Sequence, residues 1–540
     1  MDFVTTAINY TNGEPHIGHC YEAILADVIV RYKKLFKVNE VFFQTGTDEH
    51  GQKIEEKAKK EGKLPIELCN FYVNLFKLMN EKMQIDYDYF IRTTDTLHKE
   101  EVIRLFKILE KQDDIYLGTY TGWYNVREEI FVTESDAKLS NYLDSISKQS
   151  LQKISEESYF FRLSKYLPDV LKFLNSTPDF ILPNYHQKAI CARLKEYIES
   201  QENQDLSISR TKISWGIPIP TDKEHCLYVW MDALFNYHTG PLTKLGNSPF
   251  STNDNGSTNN NSSNSSDSSD SSSNTSEIIH IIGKDILWFH AVIWLSFLKA
   301  LNFNFPTKIY VHDFIVDRSG QKMSKSIGNV VDPTVLLEKY GKNALRFYLI
   351  KKTCLASDIK FCEESLKQCL SAELAAKLGN LVNRVLCMTD KYCFGKVPAH
   401  PNKEGVTQVD DNVEKEEPFN AVQLYDKIRF AFSEYRLSDI VEILQESIHL
   451  TNQHINKTEI WRIKDELLLK KAVFQMRLYL EAILIIAQLF EPILPEISSN
   501  IFKALNIEIE AGKVVNKEIF WNQLTESAEI EKKLILFPLK

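Results

Sequence analysis

Near its start the chain runs strand, turn, helix, strand, and a polypeptide that does this has few folds open to it. Phe3 to Tyr10 reads as extended, Thr11-Asn12-Gly13-Glu14-Pro15 as a turn, and the residues after it as a helix. Spacing predicts that helix: Ile17, Tyr21, Ile24, Leu25, Val28, Ile29, Tyr32 and Leu35 recur every three or four residues and so line one buried face. A second strand, Glu40 to Thr45, leads into Gly46-Thr47-Asp48. Strands joined by so long a crossover pair in parallel, and that is the beginning of a doubly wound, Rossmann-like α/β sheet.

The chain is long enough for more than this one unit. Its 540 residues, 44% apolar and 11% aromatic, suggest roughly three or four domains. No window approaches the roughly 18 to 20 uninterrupted apolar residues of a membrane span, and the richest, Leu478 to Leu494, carries Glu481 and Gln488, so no membrane partner is expected. Strand-like sequence begins almost at once, without a basic or apolar leader, which makes the cytoplasm the expected compartment; a mitochondrial or plastid protein lacking its leader is the alternative. Nine cysteines stand singly with no C-x-x-C pair, which fits a reduced compartment and predicts no thiolate zinc site. The formal charge of −9 neither supports nor excludes a nucleic-acid partner, because local clusters of Lys and Arg decide that.

From Tyr116 to His225 the periodicities are mixed and turn residues frequent, the pattern of an inserted module. Alternation returns at Leu227 to Trp230 and at Ile278 to Ile282, with a helix expected after Lys284. Between these, Ser251 to Ser276 contains only Ser, Thr, Asn, Asp and Gly; it cannot bury enough apolar area to offset its ordering entropy, which predicts a disordered loop. From Glu363 onward the pattern is helical apart from the polar stretch Lys396 to Pro418. Leu366 to Leu386 and Ala472 to Leu494 have helical length and apolar faces, and Pro492 and Pro495 are expected to end the second.

Two short strings carry phosphate chemistry. His16-Ile17-Gly18-His19 stands at the predicted start of the first helix, where unpaired N–H groups and the positive end of the dipole favour an anion such as a triphosphate. Imidazoles at i and i+3 share one face there and can donate to charge developing on phosphates, while Gly18 leaves room for a base or ribose. Two such histidines alone are more often capping or packing residues, so a second site has to agree. That second site is Lys322-Met323-Ser324-Lys325-Ser326, preceded by Asp317-Arg318-Ser319-Gly320-Gln321 and following a strand-like Lys308 to Val316. Its flanking glycines give mobility, and its two ammonium groups can close over a departing pyrophosphate. A bare K-x-x-K is ordinarily a solvated loop.

Together, in this order and on these elements, the two strings resemble the nucleotide-binding signatures of the class I aminoacyl-tRNA synthetases. Longer strings narrow the resemblance to the methionyl-tRNA synthetases: Tyr10 to His19, Thr45-Gly46-Thr47-Asp48-Glu49-His50-Gly51, Trp215-Gly216-Ile217-Pro218-Ile219-Pro220, Tyr228-Val229-Trp230-Met231-Asp232-Ala233, and Ile282-Gly283-Lys284-Asp285-Ile286. The likeness is densest from Phe3 to Ser357 and thinner in the helical tail. It implies activation of L-methionine with ATP and Mg2+, then transfer to tRNA(Met). It also implies a methionine pocket of Ile8, Tyr10, Trp230, Ala233, Leu234, Tyr237, Ile286, Phe289 and His290, with Asp48 on the substrate ammonium. Apolar and aromatic walls suit a polarizable thioether, each sulfur–ring contact contributing about 0.3 to 1.5 kcal/mol. Gly283 and Asp285 match the ribose-binding pair. In the tail, Asn380 and Arg384 match anticodon-contacting positions, and Trp461 falls where an aromatic stacks on a base.

The resemblance sets the expected boundaries: 1–115 and 225–316 as the two halves of the catalytic domain, 116–224 as the inserted module, 317–362 as the lysine loop and stem-contact region, and 363–540 as the anticodon-binding domain. Where many relatives carry cysteine knuckles this chain reads Gly122-Trp123-Tyr124-Asn125-Val126-Arg127-Glu128-Glu129-Ile130-Phe131, so a zinc-free, bacterial or organellar-like type is expected. With no further appendage after the helices, a monomer is expected. The competing readings are a class I synthetase for another apolar amino acid, which the small insertion disfavours, a catalytically silent tRNA-binding protein of the same fold, and a small-molecule nucleotidylyltransferase, which would leave the tail without a role.

Overall fold

The computed structural model describes residues 1–36, 39–125, 130–132, 134–144, 149–200, 205–211, 213–251, 276–323, 328–353, 357–399, 417–463, 466–507, 521 and 523–537. The interior of the Ser/Asn-rich stretch therefore lies outside the described residues, as do 400–416 and Ser324, Lys325 and Ser326. The chain forms two compact units. The first comprises Met1–Pro15, Val41–Glu81 and Asp86–His312; the second comprises His16–Glu40, Lys82–Ile85 and Asp313–Lys540.

The first unit is built on one seven-stranded sheet: β1 (Asp2–Thr6), β2 (Asn9–Tyr10), β3 (Val41–Asp48), β4 (Tyr89–Arg92), β5 (Ile181–Leu182), β6 (Ile278–Gly283) and β7 (Lys308–His312). Pairing runs β3, β1, β6, β7, β5, with β2 and β4 both on β3, and every pair is parallel. Residues of β1 and β6 are buried without alternation, as a parallel sheet covered on both faces requires. Phe3, Phe42, Ile282, Ile309, Trp294 and Phe297 belong to one apolar core. Each such side chain contributes roughly 1.5–3 kcal/mol on burial. The chain leaves β1 for β3 on one side and returns to β6 on the other, so the order reverses at β1. Ligands bind in doubly wound sheets at the carboxyl ends of strands beside such a reversal.

The expected strand Phe3 to Tyr10 is divided: its bonding to β6 ends with Ala7 N–H, which donates to Ile281 O at 3.1 Å, and Asn9–Tyr10 pairs instead with the last two residues of β3. Leu227 to Trp230 is corrected too. Strand Asp222–Leu227 ends there, and a short helix, Val229–Leu234, begins after Tyr228. β-propensity in Tyr-Val-Trp is overridden by the burial of Met231, Ala233 and Leu234 on one turn of helix. The stretch 116–224 is likewise not one uninterrupted insertion. Antiparallel strands Ile115–Asn125, Ile130–Val132, Gln152–Phe161 and Leu206–Ser207 form a separate sheet, but β5 lies between them in sequence and joins the main sheet. Its apolar run completes the β7 edge, Ile309 N–H donating to Phe180 O at 2.8 Å.

In the second unit, α1 spans Ile17–Phe36, Ile315–Val316 pairs in parallel with Ile359–Lys360, and Lys308 to Val316 is therefore two strands in two sheets. Helices then dominate. Glu363–Gln368 runs through a π-helical Cys369–Gly379 into Asn380–Cys393, and Leu437–Thr458, Glu466–Phe490 and Pro495–Ala504 follow. The helix expected over Ala472 to Leu494 runs Glu466–Phe490, stopping short of Pro492, and Pro495 opens the next helix.

Candidate active site

In the second unit the start of α1 is organised by its own histidines. His16 N–H donates to His19 Nδ1 at 3.2 Å, and Gly18 N–H donates to His16 Nδ1 at 3.1 Å. A ring nitrogen that accepts carries no proton, so both imidazoles bear theirs on Nε2 and present it as a donor. The rings stack with centroids 3.7 Å apart. A Cβ on residue 18 would come within 2.9 Å of His16 Cε1, so glycine leaves room there for this ring.

The segment that follows the lysine motif reaches the first turn of α1. Ile17 N–H, in the first turn of α1, donates to Val331 O at 3.2 Å, a few residues past the lysine motif. The loop is folded on Asp317, whose Oδ1 accepts from Ser319 N–H, Ser319 Oγ and Gln321 N–H, and whose Oδ2 accepts from Asn329 Nδ2 at 2.8 Å. The hydrogen bonds from Ser319, Asn329 and Gln321 hold its carboxyl down at about 2. Lys322 forms an isolated bridge with Val316 and rests its Nζ 3.7 Å from the centre of the Phe314 ring. Met323 is half-buried beside it.

In the first unit the predicted pocket residues gather at the carboxyl ends of the strands. Ile8 lies between β1 and β2; Tyr10 pairs in register with Asp48 at the end of β3, whose carbonyl accepts from Thr11 N–H at 3.0 Å. Trp230 and Phe289 stack face to face at 3.6 Å and 7°, with His290 edge-on to Trp230 at 6.5 Å. Ala233, Leu234 and Tyr237 are buried behind this wall, and Ile286 is half-buried. His290 Nδ1 meets Ile286 O at 2.9 Å and Nε2 meets Tyr237 Oη at 2.7 Å. A carbonyl only accepts, so Nδ1 carries the proton and the Tyr237 hydroxyl donates to Nε2. Burial pushes His290 down to about 4, so this side of the pocket is uncharged at neutral pH. Gly283 closes β6 opposite His312, and Asp285 follows as an exposed carboxylate. A Cβ at Gly283 would stand 2.8 Å from Asp285 Oδ1, so glycine is what lets that carboxylate fold back over the strand end.

In the tail, Asn380 and Arg384 are one turn apart on helix Asn380–Cys393, and the Arg384 guanidinium lies 5.1 Å over the ring of Trp461, which is 44% exposed. These three residues, predicted from distant parts of the chain, therefore include one direct contact.

Sequence reasoning missed the polar shell under Asp48. Glu49 is clamped by Arg92 Nε and Nη2, both at 2.7 Å, and accepts from Thr47 and Thr94. His50 Nδ1 and His98 Nε2 reach opposite oxygens of Asp232 at 2.6 and 2.7 Å. The strings containing His50 and Asp232 were visible as motifs, but nothing local singled out these residues or joined them to His98. Among the described residues no group of three His, Cys, Asp or Glu could hold a metal ion, and no helix is long and apolar enough to cross a membrane.

The family model described as "tRNA synthetases class I (M)" matches residues 2–140 and 135–386. The methionine–tRNA ligase of Thermotoga maritima is 34% identical over 513 residues, which is 95% of this chain and 76% of the relative. That of Streptococcus pneumoniae is 37% identical over 515 residues, 94% of this chain and 73% of the relative. Among solved structures, Mycobacterium tuberculosis methionyl-tRNA synthetase in complex with methionyl-adenylate superimposes with a TM-score of 0.85 at 30% identity, covering 100% of this chain and 99% of that one. The free form of the M. tuberculosis protein gives 0.77 at 28% identity, covering 99% and 97%.

Proposed function

The chain belongs to the methionine type of the class I tRNA synthetases, and from that premise we propose how its residues divide the work of a methionine–tRNA ligase. The reaction uses ATP to convert L-methionine to methionyl-adenylate and then charges tRNA(Met). In the first step a carboxylate oxygen of methionine bonds to the α-phosphorus as the bond to pyrophosphate breaks. No side chain has to become covalently attached, so the protein acts by positioning and by stabilising charge.

His16 and His19 donate from Nε2 to the phosphates at the amino end of α1, where the helix dipole also favours negative charge. Lys322 and Lys325 neutralise the departing pyrophosphate, and Met323, Ser324, Ser326 and Gly18 belong to the same ATP site. Gly283 and Asp285 take the ribose. Asp48 takes the substrate ammonium, and Ile8, Tyr10, Trp230, Ala233, Leu234, Tyr237, Ile286, Phe289 and His290 enclose the side chain. Asn380, Arg384 and Trp461 read the anticodon, a stacked base on Trp461 contributing about 1–3 kcal/mol. The observation that carries the phosphate assignment is the bond from Ile17 N–H to Val331 O, which ties the histidine turn to the end of the lysine loop.

Magnesium would arrive on the triphosphate, a hard cation on oxygen ligands, where it neutralises phosphate charge. The described residues hold no group of three His, Cys, Asp or Glu that could cage it, and no step above is routed through it. The proposed form is a monomer in the cytoplasm, with an organelle as the alternative compartment.

ATP–pyrophosphate exchange tests the assignment. Lys325→Ala and His19→Ala are each expected to slow methionine-dependent exchange by about 100-fold or more, roughly 2.7 kcal/mol of transition-state stabilisation, while tRNA binding holds. Exchange at the wild-type rate in either variant removes that residue from the phosphate site.

A further inference from the structure

Behind the proposed methionine pocket lies a buried array that the reaction as described does not use. Asp232 sits in the short helix Val229–Leu234, between Trp230 and Leu234, and its side chain is 1% exposed. One oxygen meets His50 Nδ1 at 2.6 Å and the other meets His98 Nε2 at 2.7 Å; His98 Nδ1 in turn meets Thr239 Oγ1 at 2.6 Å. Both imidazoles are buried, and their partners come from segments more than 130 residues away in sequence. Burial alone would raise the Asp232 carboxyl, but the two histidines hold it down at about 2. It is therefore a pure acceptor, and each histidine must donate to it. That fixes protons on His50 Nδ1 and His98 Nε2.

Three of the four positions so joined stand two residues from proposed pocket residues. His50 is two residues beyond Asp48, and Glu49 between them is clamped by Arg92, so the peptide bearing the ammonium-binding carboxylate has little freedom. Asp232 is two residues beyond Trp230. Thr239 is two residues beyond Tyr237 on helix Asn236–Leu245. We propose that Asp232, His50 and His98 are positioning residues that set the distance between Asp48 and the Trp230–Tyr237 wall, so that the methionine ammonium and thioether are engaged together. Methionine is unbranched with three rotatable bonds in its side chain, and a site that grips both ends removes the entropy of ordering it. A site in which the ends drift apart grips only one.

This inference rests on the pocket assignment above, and the two can fail separately. His50→Asn and His98→Gln each keep an N–H donor near the lost ring nitrogen, whereas His50→Ala and His98→Ala do not. In pyrophosphate exchange the alanine variants are expected to raise KM for methionine by about tenfold or more, close to 1.4 kcal/mol. KM for ATP is expected within about twofold of the wild type, and the Asn and Gln variants are expected to recover most of the loss. Asp48→Ala serves as the control for the pocket. If it leaves KM for methionine unchanged, the pocket assignment itself fails. If Asp48→Ala weakens methionine but the alanine variants at 50 and 98 do not, or weaken ATP equally, or if the Asn and Gln variants recover nothing, the positioning role is overturned.

Discussion

His290 is the residue whose chemistry departs furthest from its ordinary state within the proposed pocket. Its imidazole is buried, donates from Nδ1 to Ile286 O and accepts from Tyr237, and burial lowers it from 6.5 to about 4. An unfolded chain protonates this histidine below about 6.5, while the native one resists until about 4, so within that window the unfolded state binds more protons and stability falls as pH falls. The slope approaches 1.4 kcal/mol per pH unit from this side chain. His280, also driven down by burial and bonded to Thr5, adds in the same sense, so the useful quantity is a difference between proteins. Urea midpoints taken from pH 4.5 to 7 are expected to fall less steeply in His290→Gln than in the wild type. Parallel curves for the two proteins would mean that the native ring is charged. The same residue shows what could be read beforehand. His290 was reached through its match to a family pocket, whereas its tautomer and neutrality come only from Ile286 O and Tyr237 Oη, neither of which a linear string can place. His98 is harder still, since nothing near it marks it as other than a packed helix residue.

At the scale of elements, the strands and long helices were legible where one periodicity ran unopposed. α1 needed only its apolar spacing, and Glu466–Phe490 its length and the prolines beyond it. Misreadings fell where tertiary pairing outweighs local preference. Tyr228-Val229-Trp230 has strand-forming side chains but coils into a helix, and Ile181–Leu182 is too short to register as a strand until β7 offers it an edge. The lysine loop was legible as a motif but not as a structure. Asp317 folds it by collecting donors from Ser319, Gln321 and Asn329, which sets where Lys322 emerges over Phe314. Asp317→Ala is therefore expected to slow adenylate formation in a single turnover by about tenfold or more, while KM for methionine stays near the wild-type value. A wild-type single-turnover rate in this variant would show that the loop finds its geometry without that carboxylate.

At the scale of the second unit, one side chain holds together segments that are remote in sequence. Arg346 is fully buried; its Nε donates to Ile493 O at 2.8 Å, Nη1 to Met83 O at 3.0 Å, and Nη2 to Asp27 Oδ2 at 2.7 Å and Pro492 O at 2.9 Å. Asp27 also accepts from Arg31, which reaches Glu491 at 3.0 Å and Gln84 O at 3.2 Å, and Tyr32 Oη donates to Leu489 O. Helix α1 is thus fastened, along its middle, to the turn that closes the long helix of the tail. A guanidinium this deep is tolerated because carbonyls and a carboxylate replace the water it has lost, and taking it away leaves those acceptors and the Asp27 charge buried without it. Removal of one partner of such a pair costs about 3–5 kcal/mol, whereas removal of both costs far less than the sum of the separate losses. In a double-mutant cycle by urea unfolding, Arg346→Met is expected to destabilise strongly, and Asp27→Asn combined with it is expected to recover part of the loss. Strictly additive single and double variants would mean that Arg346 acts through its backbone carbonyl contacts alone. The carboxylate on α1 would then be a bystander, and the fastening between α1 and the tail would rest on Arg31 and Tyr32.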